Sequence, residues 1–205
     1  MNCSLEIFDA MDKTMYGEPE RIILGIDPGT NVMGFGVIRV VGSRVEMVEM
    51  GILDLRKEGD TYLKLKKIYD FVITLIEKFL PDEFAIEAQF FGKNVQSMLK
   101  LGRSQGVAIA AALQRDLPIA EYAPLKIKMS ITGNGAASKE QVAKMLTQYL
   151  KIKEEQILPQ LDATDALAVA LCHYFQSKNL RGEKRFSSWK DFAAKNESRL
   201  RKTRK

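Results

Sequence analysis

The sequence predicts an α/β protein in which a mixed five-stranded sheet is flanked by helices. Three apolar segments bounded by turn residues follow one another between Arg21 and Leu55, which is typical of successive strands. Two short apolar segments then alternate with segments whose apolar residues recur at helical spacing. An antiparallel start followed by alternating helices and strands indicates a mixed sheet covered by helices.

The predicted strands are short and end at turn residues or at acids. The first three are RIILGID, MGFGVIRVV and RVEMVEMGILDL, with turn signals at Pro28-Gly29 and at Gly42-Ser43. The short connection at Gly42-Ser43 predicts an antiparallel hairpin between the second and third strands. The two remaining strands are EFAIEA and LPIAEYAP.

Four helices are predicted. An amphipathic helix occupies about Asp60 to Leu80, and a longer helix occupies about Asn94 to Arg115. In the segment SKEQVAKMLTQYL, Ser138 followed by Gln141 matches a capping box at the start of a third helix. The apolar segment LDATDALAVALCHYF predicts a fourth helix from about Asp162, where an aspartate interacts favourably with the helix dipole.

The composition is that of a globular protein with one main domain. Of its 205 residues, 46% are apolar and 28% are charged. No apolar run approaches the roughly 18 residues that a membrane span requires, and no secretory signal is recognisable. Cys3 and Cys172 have no spacing typical of a disulfide framework or a metal site. We therefore expect a cytoplasmic protein with no membrane partner.

Positive charge is concentrated at the C-terminal end. The net charge is +5, and residues 178–205 contain 11 basic and 3 acidic side chains, so the preceding part of the chain is slightly acidic. Such a tail is either a solvated terminus or a source of nonspecific, salt-sensitive affinity for phosphates. Residues 1–20 show no sustained periodicity. The expected organisation is an N-terminal extension over 1–20, a main domain over 21–177 and a basic tail over 178–205.

Four acids stand at the ends of apolar segments. Asp27 closes the first predicted strand and Glu87 the fourth, while Asp162 and Asp165 lie three apart at the start of the last helix. Each alone has an ordinary explanation as a turn residue, a solvated strand end or a residue favoured at a helix start. Sites in such sheets collect at the carboxyl ends of strands, so together these acids predict a cluster for Mg²⁺ or Mn²⁺. Two such ions would support phosphodiester hydrolysis.

Four longer segments resemble, in order and in spacing, the signature blocks of RuvC, the family of bacterial Holliday-junction resolvases. They are GIDPGTNVMGFGVI, AIEAQFFGKNVQSMLKLGRSQGVAIAAAL, EYAPLKIKMSITGNGAASKEQVAKML and LDATDALAVALCH, and they span about residues 21–173. The resemblance implies an RNase H-like fold and a homodimer that nicks four-way DNA junctions symmetrically in recombination and DNA repair. It also implies two Mg²⁺ ions per subunit, which Mn²⁺ can replace, and a branch-migration motor as a partner.

The resemblance also implies roles for individual residues. The catalytic and metal-binding acids would be Asp27, Glu87, Asp162 and Asp165. Phe90 would stack on an unpaired base at the crossover, where such stacking contributes roughly 1–3 kcal/mol per base. The implied DNA-binding residues are Phe90, Lys93, Asn94, Lys128, Gly133, Gly135 and Lys139.

Three further features have open interpretations. Gly102, Gly106 and Ala110 form a small-residue stripe on the helix that the family uses for dimerisation, and packing within the chain is the alternative. His173 is interpreted as a structural or surface residue. Trp189, in the basic tail, either anchors that tail or contacts a partner.

Three other functions compete with the nuclease. The strand, Asp27 and Pro28-Gly29 also resemble the first phosphate loop of actin-like ATPases, but no second copy follows. A different RNase H-like nuclease would use the same acids on another nucleic acid. A noncatalytic DNA-binding module would use the basic tail and keep the acids for structure only.

Overall fold

The computed structural model describes residues 20–89, 94–152 and 161–182, with side chains described as far as Lys178. The predicted N-terminal extension before Glu20 and most of the basic tail, including Trp189, therefore lie outside the described residues. The chain divides into two compact units at Tyr174, and of the second unit only the end of the last helix is described. No helix within the described ranges is long and apolar enough to cross a membrane.

Five strands form one mixed sheet, as the sequence predicts. The strands are β1 Glu20–Asp27, β2 Val32–Val41, β3 Arg44–Asp54, β4 Glu83–Glu87 and β5 Ile119–Tyr122. Their order is β3-β2-β1-β4-β5. The pairs β1–β2 and β2–β3 are antiparallel, whereas β4 is parallel to both β1 and β5. The predicted hairpin at Gly42-Ser43 is confirmed, and Gly42 adopts a φ of 58° there, which glycine tolerates best.

The helices include one that the sequence reasoning missed. The helices are α1 Thr61–Phe79, α2 Val95–Leu113, α3 Pro124–Thr132, α4 Lys139–Leu150 and α5 Leu161–Gly182. The missed helix, α3, has Pro124 at its start and ends at Gly133, whose φ of 71° is left-handed. Its buried residues, Ile127 and Ile131, are four apart and so share one face.

Side-chain caps fix where α1, α2 and α4 begin. The predicted capping box is confirmed, because the Ser138 side chain accepts from the Gln141 backbone N–H and the Gln141 side chain accepts from the Ser138 backbone N–H. The Asn94 side chain accepts a hydrogen bond from the backbone N–H of Ser97 and begins α2. These local bonds satisfy N–H groups that would otherwise lack partners.

The sheet packs on both of its faces. Because side chains alternate along a strand, Leu24 and Ile26 of β1 point to one face while Gly25 and Asp27 point to the other. On the first face, apolar residues of the sheet pack against α1 and α2 in one buried cluster. On the second face, the backbone of α5 lies directly against the sheet.

Three glycines allow α5 to approach the sheet closely. Gly25 and Gly36 are paired across β1 and β2, and Gly34 pairs with Asp27 in the same ladder. A Cβ atom on Gly34 would overlap the backbone carbonyl of Asp162, and one on Gly36 would overlap the backbone of Leu167. We call Gly25, Gly34 and Gly36 the glycine groove. It brings the first turns of α5 to the end of β1 that carries Asp27.

We expect Gly34→Ala to destabilise the protein by about 1–3 kcal/mol, the usual effect of overpacking a closely fitted interior. The added methyl group has no space, because the atom that blocks it belongs to the α5 backbone. Urea denaturation measures the loss. Gly59→Ala is the control, since a Cβ there meets nothing within 4 Å. Equal stability of the two variants would contradict the role given to the groove.

Candidate active site

Two acids stand side by side at the carboxyl ends of neighbouring strands. Asp27 is the last residue of β1 and Glu87 is the last residue of β4. The parallel register pairs Gly25 with Ala85 and Ile26 with Ile86, so the next residues on each strand are Asp27 and Glu87. Strand alternation then points both carboxylates to the face on which α5 packs.

The first turns of α5 bring two more acids to the same place. Asp162 lies over Gly34, the residue that pairs with Asp27, and Asp165 follows one helical turn later. Carboxylate oxygens of Asp27, Asp162 and Asp165 all lie within 4.8 Å of one another. We call these three residues the carboxylate trio. Glu87 is outside the trio but lines a cleft together with Asp27 and Asp165.

Three of the four carboxylates, those of Asp27, Glu87 and Asp165, line a cleft of about 370 Å³. Its charged lining combines the acids with two cations, Lys128 of α3 and Lys139 of α4. Its other walls are formed by Pro28, Gln89, Leu101, Pro124, Ile127, Val142 and Ala168. The cleft therefore has both a group of oxygen ligands and positive charges that suit an anionic substrate. We call it the catalytic cleft.

Burial and mutual repulsion make two of the acids reluctant to ionise. Burial, followed by the charges of Glu87 and Asp165, raises the pKa of Asp27 to about 8. Burial and then the charge of Asp165 raise the pKa of Glu87 to about 7, although Lys139 and Lys128 oppose this. Carboxylates crowded in this way hold a proton near neutral pH unless a cation neutralises them.

Lys139 neutralises part of this negative charge. Its ammonium group forms an ion pair and a hydrogen bond with the Asp165 carboxylate. Burial lowers the pKa of Lys139, but the hydrogen bond to Asp165 and the neighbouring acids outweigh burial, so the pKa is raised. A lysine at the first position of a helix is unfavourable for the helix dipole, so the acids are needed to hold it there.

The structure distributes the predicted DNA-binding residues unevenly. Lys128 and Lys139 line the catalytic cleft, whereas Asn94, Gly133 and Gly135 do not. The positions of Asn94 and Gly133 have local explanations, because Asn94 caps α2 and Gly133 ends α3 in the left-handed conformation. Their predicted roles stay predictions. Phe90 and Lys93 lie outside the described residues.

The small-residue stripe of α2 lies on the protein surface. Gly102, Gly106 and Ala110 are all exposed. A Cβ on either glycine would meet nothing within 4 Å, so at these two positions the described part of the chain does not explain the glycines by internal packing. The exposed side chains of Leu99 and Leu113 extend the stripe in both directions.

His173 connects α5 to two strands, in agreement with its interpretation as structural. Its Nδ1 lies 2.7 Å from the Tyr122 hydroxyl, and its Nε2 lies 2.8 Å from a carboxylate oxygen of Glu83. The two oxygens of the same carboxylate also accept hydrogen bonds from the Arg21 guanidinium, at 2.9 and 3.0 Å. This network holds α5 in place two turns beyond Asp165.

Sequence reasoning missed two glutamines at the site. Gln89 lines the catalytic cleft just beyond the end of β4. The Gln105 side chain donates to the Glu87 backbone carbonyl at 3.4 Å and to the Glu121 carboxylate at 2.9 Å, so it links α2 to the end of the sheet. Gln89 could have been found by its closeness to Glu87 in sequence, whereas only tertiary packing identifies Gln105.

Without divalent cations, the stability of the protein should fall as the pH rises from about 4 to about 8. The pKa of Asp27 is about 8 in the folded protein but near 4 in an unfolded chain. The folded state therefore keeps a proton that the unfolded chain releases, which changes the stability by at most about 1.4 kcal/mol per pH unit. Asp27→Asn removes this titrating group. The stability of the variant should therefore fall less as the pH rises, and at high pH it should exceed that of the wild type.

Thermal unfolding in EDTA, from about pH 5 to about pH 9, measures this difference. Some decline should remain in the variant, because the pKa of Glu87 is also raised, to about 7. Asp70→Asn, at an exposed position on α1, is the matched control and should follow the wild type. Parallel curves for the wild type and Asp27→Asn would refute the electrostatic account.

Comparisons with known proteins agree with this site. A family model described as "Crossover junction endodeoxyribonuclease RuvC" matches residues 23–173. The protein of that name from Bacteroides fragilis is 64% identical over 182 residues, which cover 89% of this chain and 97% of that protein. The one from Porphyromonas gingivalis is 57% identical over 185 residues, covering 89% of this chain and 98% of that protein.

A solved structure of similar fold supports the same relationship. It is described as T. thermophilus RuvC in complex with Holliday junction substrate. It matches with a TM-score of 0.72 and 30% sequence identity, over 78% of this chain and 96% of that chain. The expected RNase H-like fold is thereby confirmed, and the chain belongs to the RuvC family of crossover junction endodeoxyribonucleases.

Proposed function

We propose that this protein resolves four-way DNA junctions by paired symmetric nicks in homologous recombination and DNA repair. The observation that supports it best is the carboxylate trio, whose oxygens lie within 4.8 Å of one another. Two of its members, Asp27 and Asp165, line a cleft that two lysines also line. This donor set suits phosphodiester hydrolysis, and the chain belongs to a family of endodeoxyribonucleases. The competing ATPase function has no such support, because it explains neither the acids of α5 nor the lysines.

The donor set fits hard divalent cations. Carboxylate oxygens are the preferred ligands of Mg²⁺ and Mn²⁺. Burial and then the repulsion of neighbouring acids raise the pKa of Asp27, and a bound cation would offset both effects. Asp27, Glu87, Asp162 and Asp165 would hold two Mg²⁺ ions per subunit, for which Mn²⁺ could substitute. When bound, such ions polarise the phosphodiester and favour hydroxide formation from water.

The remaining residues of the site would bind and orient the DNA. Lys128 and Lys139 would contact phosphate oxygens beside the bond to be cut, because both line the catalytic cleft. Phe90 would stack on an unpaired base at the crossover. Lys93, Asn94, Gly133 and Gly135 are the other proposed DNA-binding residues; of these, Asn94, Gly133 and Gly135 do not line the catalytic cleft.

Resolution of a junction requires two equivalent cuts, and a two-fold homodimer supplies two identical sites. The stripe of Gly102, Gly106 and Ala110 is the proposed interface. Its exposure leaves it available to a second copy, and small residues would allow the two helices to approach closely.

The proposed domain organisation is the nuclease domain over 21–177, preceded by an extension and followed by the basic tail of 178–205. The tail would add nonspecific affinity for DNA phosphates. A branch-migration motor is the proposed protein partner. Because the substrate is chromosomal DNA, the expected location is the bacterial cytoplasm.

Asp27→Asn and Glu87→Gln should each lower Mg²⁺-dependent junction cleavage by roughly three orders of magnitude or more, since each removes a charged ligand. Junction binding should remain within a few-fold of the wild type. The measurement uses a synthetic four-way junction, a linear duplex and an RNA–DNA hybrid as parallel substrates. Selective paired nicking of the junction is the expected result for the wild type.

Asp70→Asn and Glu77→Gln, on the exposed surface of α1, are the matched controls and should cleave normally. Full cleavage by Asp27→Asn would instead favour a noncatalytic DNA-binding module. Preferential cutting of the hybrid would indicate a different RNase H-like nuclease.

Gly106→Gln should convert the dimer to a monomer. The new side chain enters open space in the single chain, so folding should be retained, but it would occupy the position of the second helix at the interface. Sedimentation equilibrium measures the mass. Lys66→Gln, on the exposed face of α1, is the control. An unchanged dimer in Gly106→Gln would exclude this stripe as the interface.

A further inference from the structure

A second cleft lies beside the catalytic cleft and has a different chemical character. It measures about 390 Å³, and Leu101 lines both clefts. Three cations line it, Lys64 of α1 with Lys100 and Arg103 of α2, and we call it the basic cleft. The hydroxyl-bearing residues Thr30, Thr61, Ser97 and Ser104 also line it, and no acid is among its lining residues.

The positive charge of the basic cleft is not neutralised by the described part of the chain. The Lys64 ammonium donates to the backbone carbonyl of Thr30 at 3.2 Å and to the side-chain oxygen of Asn31 at 3.1 Å, both of which are uncharged acceptors. Lys100 and Arg103 form no ion pair with any described carboxylate.

The neighbouring lysines of α1 behave differently. Lys66 pairs with Asp70, and Lys67 pairs with Glu58. Elsewhere on the solvated surface of α1, then, positive and negative side chains lie together. The basic cleft instead collects cations from two packed helices, which repel one another unless an anion lies between them.

The position of the basic cleft identifies the anion. The loop after β1 separates the two clefts, with Pro28 lining the catalytic cleft and Thr30 and Asn31 lining the basic cleft. A DNA strand whose scissile phosphate occupies the catalytic cleft places its next phosphates close by. Ammonium, guanidinium and hydroxyl groups are the usual donors to such phosphates.

We propose that the basic cleft binds the backbone phosphates of the DNA strand that is cut, next to the scissile phosphodiester. This assignment rests on the proposed junction-cleaving function. Lys100 and Arg103 contact the phosphates, whereas Lys64 also holds the loop that follows Asp27. The cleft thereby sets where along the strand the catalytic carboxylates act.

The test compares junction binding in an Asp27→Asn parent with binding after Lys100→Ala and Arg103→Ala are added together. The expected result is a roughly tenfold or greater loss of affinity at low salt, with a salt slope shallower by about 2 to 4 because each subunit of the proposed dimer loses one or two phosphate contacts. Lys66→Ala with Lys67→Ala removes the same charge from paired lysines of α1, and binding should stay within about twofold of the parent. An equal thermal midpoint shows that each variant is folded.

A second measurement locates the contact. Single phosphates near the cut are replaced by neutral methylphosphonates, and each is tested against the parent and the Lys100/Arg103 variant. At one or more positions the replacement should weaken junction binding by the parent but cause no further loss of affinity in the variant. Additive losses at every position, or unchanged affinity and slope in the variant, would overturn the proposal. If the wild-type protein does not cleave the junction, the proposed function fails; if it does, these outcomes bear on the basic cleft alone.

Discussion

The candidate active site depends on how closely helix α5 approaches the sheet. The glycine groove leaves no side chain at three sheet positions beneath this helix, so the backbone of α5 lies against β1 and β2 there. Gly34 matters most, because it pairs with Asp27 in the sheet and contacts the α5 backbone at Asp162. A sheet residue of ordinary size at this point would hold the acids of α5 away from Asp27. The position of a helix is thus set by the absence of side chains on the strands below it.

This closeness concentrates negative charge and so opposes the stability of the fold. Burial and repulsion raise the pKa of Asp27 to about 8, which means that its ionised form is costly in the protein without metal. The surrounding apolar structure offsets this cost, since α5 is almost fully buried from Ala166 to Cys172. Lys139 forms its ion pair with Asp165 and lowers the pKa of Asp27 and of Glu87 only in part, so both remain raised. The acids therefore carry negative charge that the described cations do not fully compensate, and a bound metal cation would neutralise it.

Local sequence patterns predicted the strands, four helices and the four acids, because each depends on neighbouring residues. The apolar run before Asp27 and the capping box at Ser138 are such local signals. The helix α3 was missed because it is short, and Gly133 was interpreted as a DNA contact, although it also ends that helix. The glycine groove could not be predicted from spacing alone. It requires the β1–β2 register and the knowledge that α5 covers this face.

Net charge is a poor guide to where this protein would meet DNA. Composition assigned the positive charge to the tail and left the folded body slightly acidic. Within the body, however, many cations are cancelled by acids, as in the pairs Arg21–Glu83 and Lys78–Glu49. The basic cleft contains cations that no described acid cancels, and it adjoins the cleft that holds the carboxylates. A DNA strand is attracted by the charges close to it rather than by the net charge of the chain. Exposed charges farther away than about 10 Å are screened by salt. The folded body, and not only the tail, therefore supplies positive charge where a strand would have to lie to be cut.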